Sequence, residues 1–204
     1  MEKISIITIC YNAEKTISKT LDSIKNQSYK NYEHIVIDGG SSDKTLELVK
    51  KANISKKIIS EGDKGIYDAF NKGIKNSSGE IIGFLNGDDI YHDKDSLNMI
   101  AKSFNKNIDC VFGDLIYINS NNKVRRIWKG SKFKKGSFKN GWMPAHPTFY
   151  CKKKNYQKYG LYDDRFKIAG DFELMMRFLE NHNIKSKYIS KKLVKMKLGG
   201  ISNK

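Results

Sequence analysis

Short strand-like runs alternate with amphipathic helical patterns along the first 90 residues of this 204-residue chain, and this alternation limits the possible folds most strongly. The strand patterns are residues 4–9, 34–38, 57–59 and 80–85. The helical patterns are residues 17–24, 45–51 and 65–76, with Ile17, Leu21, Ile24, Ile66, Phe70 and Ile74 predicted to face inward. The sequence therefore predicts an α/β fold with a mostly parallel central sheet flanked by helices.

The second half of the chain has a different pattern. Residues 105–150 contain strand-like pieces at 110–112, 115–118 and 124–128, joined by turns rich in Lys and Gly. A helix predicted at 171–180 places Phe172, Met175, Met176 and Leu179 on one face. Because no repeat or Pro-rich linker divides the chain, we predict one domain over residues 1–204, with halves at 1–104 and 105–204.

Charge is divided unevenly between these parts. The net charge is +16, of which residues 1–120 contribute −1 and residues 121–204 contribute +17. One explanation is compositional drift, since 34 of the 38 basic residues are Lys. The other is a basic surface that faces a membrane leaflet, a lipid-linked phosphate or nucleic acid.

Several protein classes are disfavoured. No apolar run approaches the roughly 20 residues that span a bilayer, and the N-terminus lacks the pattern of a signal peptide. The three cysteines form no CxxC pair, which disfavours a disulfide scaffold and a structural zinc site and indicates a reduced, cytosolic protein. The glycine patterns GxGxxG and GxxxxGK[ST] are also absent.

Polar clusters follow three of the predicted strands, at residues 8–12, 38–43 and 86–89. Ligands of open parallel sheets bind at the carboxyl ends of the strands, so we expect these clusters to meet there. The alternative for each is a turn or a helix cap, as we predict for Asn12. Asp88 and Asp89 offer hard oxygen ligands for Mg²⁺ or Mn²⁺, the alternative being a solvated loop.

The order of these motifs resembles family 2 glycosyltransferases of the GT-A fold, the type that builds bacterial cell-surface polysaccharides. The resemblance spans almost the whole chain, through residues 5–12, 37–45, 60–69, 71–73, 84–89, 146–147 and 169–173. It implies a Rossmann-like sheet whose first half binds the nucleotide sugar. The second half then forms a smaller, acceptor-side extension that supplies the catalytic base.

The resemblance also implies a nucleotide-sugar site. Thr8, Tyr11 and Asn12 would line the nucleotide pocket, and Asp38 would accept the N3–H of uracil, a donor that cytosine lacks. The remaining members of this site would be Gly39, Asp63, Lys64, Asn71, Asn86, Gly87 and Asp88. Asp68 and Lys72 have the spacing of an ion pair on a helix. The alternative is that their polar helix face, with Asn71, closes over the base or ribose.

Metal and catalytic roles follow from the same resemblance. Asp88 would bind Mg²⁺ or Mn²⁺ with Asp89 as a second ligand, although Asn86 replaces the first Asp of the family's DxD element. Asp171 matches the catalytic base of an inverting transfer, the alternative being a first-turn or capping acid. Glu173 is a weaker candidate because it points about 200° away from Asp171 on a helix.

Acceptor contacts are expected in the second half. Trp142 and His146 are candidates, His146 equally as a hydrogen-bonded core residue. Residues 199–202 resemble a loop near the diphosphate, and family members usually continue beyond this point. The chain is therefore expected to be either short or truncated, and truncation would remove a membrane-associating C-terminal helix.

The predicted activity is transfer from a UDP-sugar to a hydroxyl of a glycan acceptor, linked to a polyprenyl diphosphate, in capsule, O-antigen or exopolysaccharide synthesis. We predict a cytoplasmic protein, peripheral at the inner face of the cell membrane through its basic half. Alternatives are a catalytically silent nucleotide-binding scaffold or, with few arginines and no known motif, a nucleic-acid-binding protein. A nucleotidyltransferase would require a Gly-rich phosphate loop that residues 8–12 do not supply.

Overall fold

The first four strands form a parallel sheet of order β3-β2-β1-β4 in the computed structural model, which describes residues 1–119 and 121–198. The strands are β1 (Ile4–Cys10), β2 (Tyr32–Asp38), β3 (Lys57–Ser60) and β4 (Ile81–Phe84). The helices between them are α1 (Ile17–Lys25), α2 (Thr45–Ala52) and α3 (Ile66–Asn76). The predicted α/β alternation is confirmed, and the register aligns Ile7 with Ile35 on one side and Phe84 on the other.

The second half extends this sheet in the order β4-β8-β6-β9-β5, with β7 paired to β6. Its elements are β5 (Ile90–Tyr91), α4 (Ser96–Ser103), β6 (Cys110–Ile118), β7 (Val124–Trp128), β8 (Tyr150–Lys152), α5 (Lys153–Tyr159), α6 (Gly170–Met176) and β9 (Ser186–Lys197). A π-helical turn, Arg177–Asn181, prolongs α6. The β6–β9 pairing is parallel, whereas β8 is antiparallel to β4 and β6. The sheet is therefore parallel in its first half and mixed beyond it, in agreement with the mostly parallel sheet and smaller extension expected from the sequence.

Helix packing agrees with the sequence patterns except at two residues. Ile17, Phe70 and Ile74 are buried as predicted, but Ile66, the first residue of α3, is 37% exposed. Asn12 is not a helix cap, since α1 begins after Thr16 and Asn12 adopts a left-handed conformation. Within the described residues, no helix is long and apolar enough to cross a membrane.

Candidate functional site

A pocket of about 350 Å³ opens at the carboxyl ends of β1 and β4. It is lined by Ile9, Cys10, Tyr11, Asn12, Ala13, Thr16, Gly87, Asp88, Lys197 and Leu198. Backbone hydrogen bonds hold its rim together: Gly39 N–H donates to Cys10 O at 2.9 Å, and Gly87 N–H donates to Ile9 O at 2.9 Å. The three polar clusters therefore meet at one sheet edge, as predicted.

Asn12 connects the loop after β1 to the loop after β2. Its backbone N–H donates to Ser41 Oγ at 2.8 Å, and its Oδ1 accepts the Ser42 N–H at 2.9 Å. Asn12 thus joins the two loops by hydrogen bonds and also lines the pocket.

Asp38 is buried and hydrogen-bonded to serines of the neighbouring loops. Its side chain is fully buried, and Oδ2 accepts the Ser41 N–H at 3.0 Å and the Ser60 hydroxyl at 2.7 Å. Oδ1 accepts the Ser41 hydroxyl at 2.5 Å. Both oxygens therefore accept hydrogen bonds from serines of the two loops and stabilise them, and the contact of Asp38 with a base stays a prediction.

Thr8 is likewise absent from the pocket. Its side chain is fully buried and hydrogen-bonded through Oγ1 to His34 Nε2 at 2.9 Å, and the lining of the pocket begins one residue later, at Ile9.

Asp63 lies where a side chain on residue 39 would point. A Cβ built on Gly39 would lie 3.1 Å from Asp63 Oδ2 and 3.4 Å from the Tyr11 ring. Lys72 Nζ donates to the other oxygen, Oδ1, at 2.6 Å. Within the described chain Oδ2 accepts no hydrogen bond, so it borders the space above Gly39 with an acceptor available.

Lys72 is the centre of an ionic cluster on the loop before α3. Its Nζ lies 3.1 Å from Glu61, 2.6 Å from Asp63 and 3.4 Å from Asp68. The predicted ion pair of Asp68 with Lys72 is confirmed. Lys64 is exposed and contributes its backbone N–H, which donates to Asp68 Oδ2 at 3.1 Å.

The side chain of Asn71 is hydrogen-bonded within the protein, and its predicted contact with the nucleotide stays a prediction. Its Nδ2 donates to Tyr162 O at 2.8 Å, and its Oδ1 accepts the Tyr162 N–H at 3.0 Å. Both ends of this buried amide are thus used to join α3 to the segment before α6.

The loop after β4 contains buried oxygens without partners. Asn86 Oδ1 and both carboxylate oxygens of Asp89 accept no hydrogen bond from the residues described. Asp89 is 1% exposed, and burial together with the charge of Asp88 raises its pKa well above the usual value. Burial also raises the pKa of Asp88, although Lys197 partly opposes the shift.

Asn86 and Asp89 fit a divalent cation in one respect. A bound cation would stabilise buried acceptor oxygens that have no hydrogen-bond partner. Asp88 faces the pocket, whereas Asp89 is buried beneath the loop, unlike the predicted second ligand. No group of three or more His, Cys, Asp or Glu side chains in the described part of the chain could hold a metal ion. A cation at Asp88 would therefore need oxygens from the substrate.

Asp171 lies in the first turn of α6 and is partly exposed. Tyr67, at the start of α3, lies beside it: Tyr67 Oη accepts the Gly170 N–H at 2.8 Å and is 3.5 Å from Asp171 Oδ1. Burial and the charge of Asp171 raise the pKa of Tyr67, so its hydroxyl remains protonated and can donate to that carboxylate. Because α3 follows the carboxyl end of β3, Tyr67 and Asp171 lie on the carboxyl-end side of the sheet, although neither residue lines the pocket itself.

Glu173 is paired with a neighbour and does not compete with Asp171. Its Oε1 accepts from Arg177 Nε at 2.7 Å, and its Oε2 accepts from Arg177 Nη2 at 3.0 Å. The same guanidinium donates to Leu161 O at 2.7 Å, so Glu173 serves the packing of α6.

His146 and Trp142 lie in aromatic surroundings. His146 is buried against Phe84, and its Nε2 is 2.8 Å from Tyr162 Oη. Burial lowers its pKa, an environment that matches the predicted core histidine. Trp142 is half-buried beside Phe138, and its Nε1 donates to Ser131 Oγ at 2.8 Å.

Sequence reasoning did not single out Tyr67 or Lys197 as site residues. Tyr67 lies within the motif at residues 60–69, and its contact with α6 became visible only in the structure, where a Cβ on Gly170 would lie 2.8 Å from the Tyr67 ring. Lys197 belongs to β9, which no predicted element covered. The predicted diphosphate loop, residues 199–202, lies outside the described residues.

Comparisons with known proteins agree with this geometry. The model of the family "Glycosyl transferase family 2" matches residues 5–170. A "PGL/p-HBAD biosynthesis glycosyltransferase" of Mycobacterium tuberculosis is 27% identical over 98% of this chain and 78% of its own length. The Escherichia coli "UDP-Glc:alpha-D-GlcNAc-diphosphoundecaprenol beta-1,3-glucosyltransferase WfgD" is 37% identical over 61% of this chain and 50% of its own.

Two solved structures share the fold. S. aureus TarS 1-349 in complex with UDP-GlcNAc superposes with a TM-score of 0.72 at 21% identity, over 97% of this chain and 59% of its own. The mannosyltransferase PcManGT from Pyrobaculum calidifontis, in complex with GDP-Man and Mn²⁺, gives a TM-score of 0.74 at 15% identity, over 99% and 59%. This chain thus spans about three fifths of each solved chain. With the family model matching most of its length, the chain belongs to glycosyl transferase family 2.

Proposed function

We propose that the protein transfers a sugar from a UDP-sugar to a hydroxyl group of a glycan acceptor, with inversion at the anomeric carbon. The observation that carries the proposal is the placement of two carboxylates at one sheet edge. Asp88 faces the pocket, and Asp171 is held beside α3 by Tyr67. Support for the donor comes from relatives, since TarS binds UDP-GlcNAc and the name of WfgD specifies UDP-Glc.

Asp63 takes the base-reading role in this proposal, in place of Asp38. Its free Oδ2 borders the space over Gly39, next to the exposed Tyr11 ring. A carboxylate oxygen there accepts the N3–H of uracil, whereas the N3 of cytosine would present a second acceptor and be repelled. The uracil then lies against Tyr11 with its edge toward Asp63.

The diphosphate lies at the Asp88 end of the pocket in this scheme. Asp88, with oxygens of the diphosphate, would hold Mg²⁺ or Mn²⁺, and Lys197 adds a positive charge on the same wall. A bound cation would supply electrostatic stabilisation of the negative charge that grows on the leaving UDP.

Asp171 acts as the general base. It takes the proton of the acceptor hydroxyl as that oxygen attacks the anomeric carbon, and the bond to UDP breaks with its electron pair moving to the diphosphate. The attack comes from the face opposite UDP, so the configuration inverts and no covalent glycosyl-enzyme forms. Tyr67 orients the carboxylate, and Trp142 is proposed to contact the acceptor.

The acceptor is proposed to be a lipid-linked glycan of surface polysaccharide synthesis. The support is the name of WfgD, which specifies a diphosphoundecaprenol-linked acceptor, together with the net charge of +17 in residues 121–204. In this proposal the protein works at the cytoplasmic face of the cell membrane as a peripheral protein.

The test compares Asp171→Asn with Glu173→Gln, a matched loss of charge in the same helical turn. Asp171→Asn should lower the transfer rate about 10²- to 10⁴-fold while UDP binding, measured by calorimetry, stays the same. Glu173→Gln should retain activity, and NMR of the product should show the inverted anomer. Full activity of Asp171→Asn would exclude the proposed base, and a retained anomer would exclude the mechanism.

A further inference from the structure

Residues 121–139, which we call the basic strip, form an exposed surface of one charge. Eight basic side chains in it are exposed: Lys123, Arg125, Arg126, Lys129, Lys132, Lys134, Lys135 and Lys139. The sequence contains no acidic residue between Asp114 and Asp163. In the described structure none of the eight forms an ion pair. The charge is therefore available to an external anion.

Strand β7, within the basic strip, also exposes apolar side chains. It pairs with β6 and with no other strand described, which makes it an edge strand. Val124 is 56% exposed and Ile127 is 47% exposed, and the two residues flank Arg125 and Arg126 in the sequence. An edge strand this rich in positive charge opposes pairing with a second copy of itself. The combination of cations with exposed aliphatic groups fits the headgroup region of an anionic bilayer.

Both ends of the basic strip reach the candidate site. Asn122 lines a small cleft together with Asp88 and Lys197. At the other end, Phe138 packs edge-to-face against Phe172, the residue after Asp171. A surface that rests on the basic strip would therefore lie beside the pocket and the proposed base.

We propose that the basic strip docks the protein on an anionic lipid surface, with the pocket edge turned toward the leaflet. The delivery of a lipid-linked acceptor to Asp171 rests on the proposed function, whereas the docking itself does not. Lipid is favoured over nucleic acid because Val124 and Ile127 offer no hydrogen bond to a phosphate backbone but can enter the acyl boundary.

The test uses two variants with equal loss of charge. Arg125, Lys129, Lys132 and Lys134 are replaced by Gln in one, and the exposed Lys25, Lys50, Lys51 and Lys75 are replaced by Gln in the other. Binding is measured by sedimentation with phosphatidylcholine vesicles, with and without phosphatidylglycerol. Each basic residue near an anionic surface strengthens binding roughly 5-fold, so the strip variant should bind on the order of several hundred-fold more weakly. The control variant should lose less than about 10-fold.

A third variant, Ile127→Ser, separates lipid from other polyanions. It should weaken vesicle binding several-fold while leaving retention on a phosphate-rich RNA homopolymer unchanged. Equal vesicle binding by the strip and control variants would overturn the proposal, as would a preference for the RNA over vesicles. Asp171→Asn should bind vesicles like the unmodified protein, so a failure of the proposed catalysis is distinguishable from a failure of docking.

Discussion

Replacing Asp63 by Asn should abolish a preference for UDP over CDP. Asp63 Oδ2 lies 3.1 Å from the Cβ position of Gly39, and its carboxylate can only accept hydrogen bonds. Uracil presents an N3–H donor to it, and cytosine presents a bare N3. An amide at residue 63 can both accept and donate, so the variant should bind the two nucleotides about equally.

The expected magnitude follows from the environment of Asp63. Its side chain is 12% exposed, and a hydrogen bond to a charged group in such a setting stabilises by about 1.5–3 kcal/mol. The UDP preference should thus be about 10- to 150-fold in the unmodified protein and within about 3-fold in Asp63→Asn. Lys72 keeps Glu61 and Asp68 as partners, so the variant should fold.

Calorimetric titration with UDP and CDP, each with Mg²⁺, measures the ratio directly. Asp38→Asn is the control, because the carboxylate of Asp38 accepts hydrogen bonds from Ser41 and Ser60. This variant should lower the melting temperature and weaken the binding of both nucleotides equally. A UDP preference that survives in Asp63→Asn but disappears in Asp38→Asn would refute the assignment.

Two further predictions concern stability. Burial lowers the pKa of His34 from 6.5 to about 3, so the folded state excludes a proton that the unfolded chain binds. Stability from this residue is complete above pH 6.5 and should fall by about 2 kcal/mol near pH 5, a loss that urea unfolding of His34→Gln should not show. Gly83→Ala places a Cβ 1.9 Å from the ring of buried Tyr150 and should destabilise by about 3 kcal/mol or more, whereas Gly62→Ala, with open space, should change the urea midpoint little.

The first half of the fold could be predicted because its signals are local. Each strand there is a short apolar run that ends in a polar cluster, and parallel pairing brings such ends together. β1 and β2 are observed within two residues of the predicted bounds at either end. The predicted meeting of Asn12, the loop after Asp38 and Asp88 follows from that topology.

The second half could not be predicted in the same way. β9 mixes apolar and charged residues without strict alternation and includes four lysines among its last seven residues, so it lacks the period-two pattern of a strand. It becomes a strand because β6 is buried along its whole length and offers a long parallel edge. For this reason the sequence did not predict Lys197 as a residue of the pocket.

Individual site residues were harder to predict than the position of the site. A motif gives the residue type, but the hydrogen-bond partners in the fold determine whether that side chain is free to bind a ligand. Asp38 and Asn71 resemble ligand-binding residues in sequence, yet serines and the Tyr162 backbone take up their polar atoms. Asp63 keeps a free acceptor oxygen beside Tyr11, and the space for that oxygen depends on the missing side chain at Gly39.

The diphosphate end of the pocket has an unusual charge balance for a site of this kind. Asn86 provides an amide where a first Asp would add a negative charge, and Lys197 places a positive charge on the same wall as Asp88. Each feature makes the protein less attractive to a free cation and more attractive to a diphosphate. Since Asp88 is the acid that lines the pocket, a cation there would be held chiefly by the substrate that it neutralises. Nucleotide and cation should then bind as a pair. The protein selects among such pairs by recognising the base of the nucleotide.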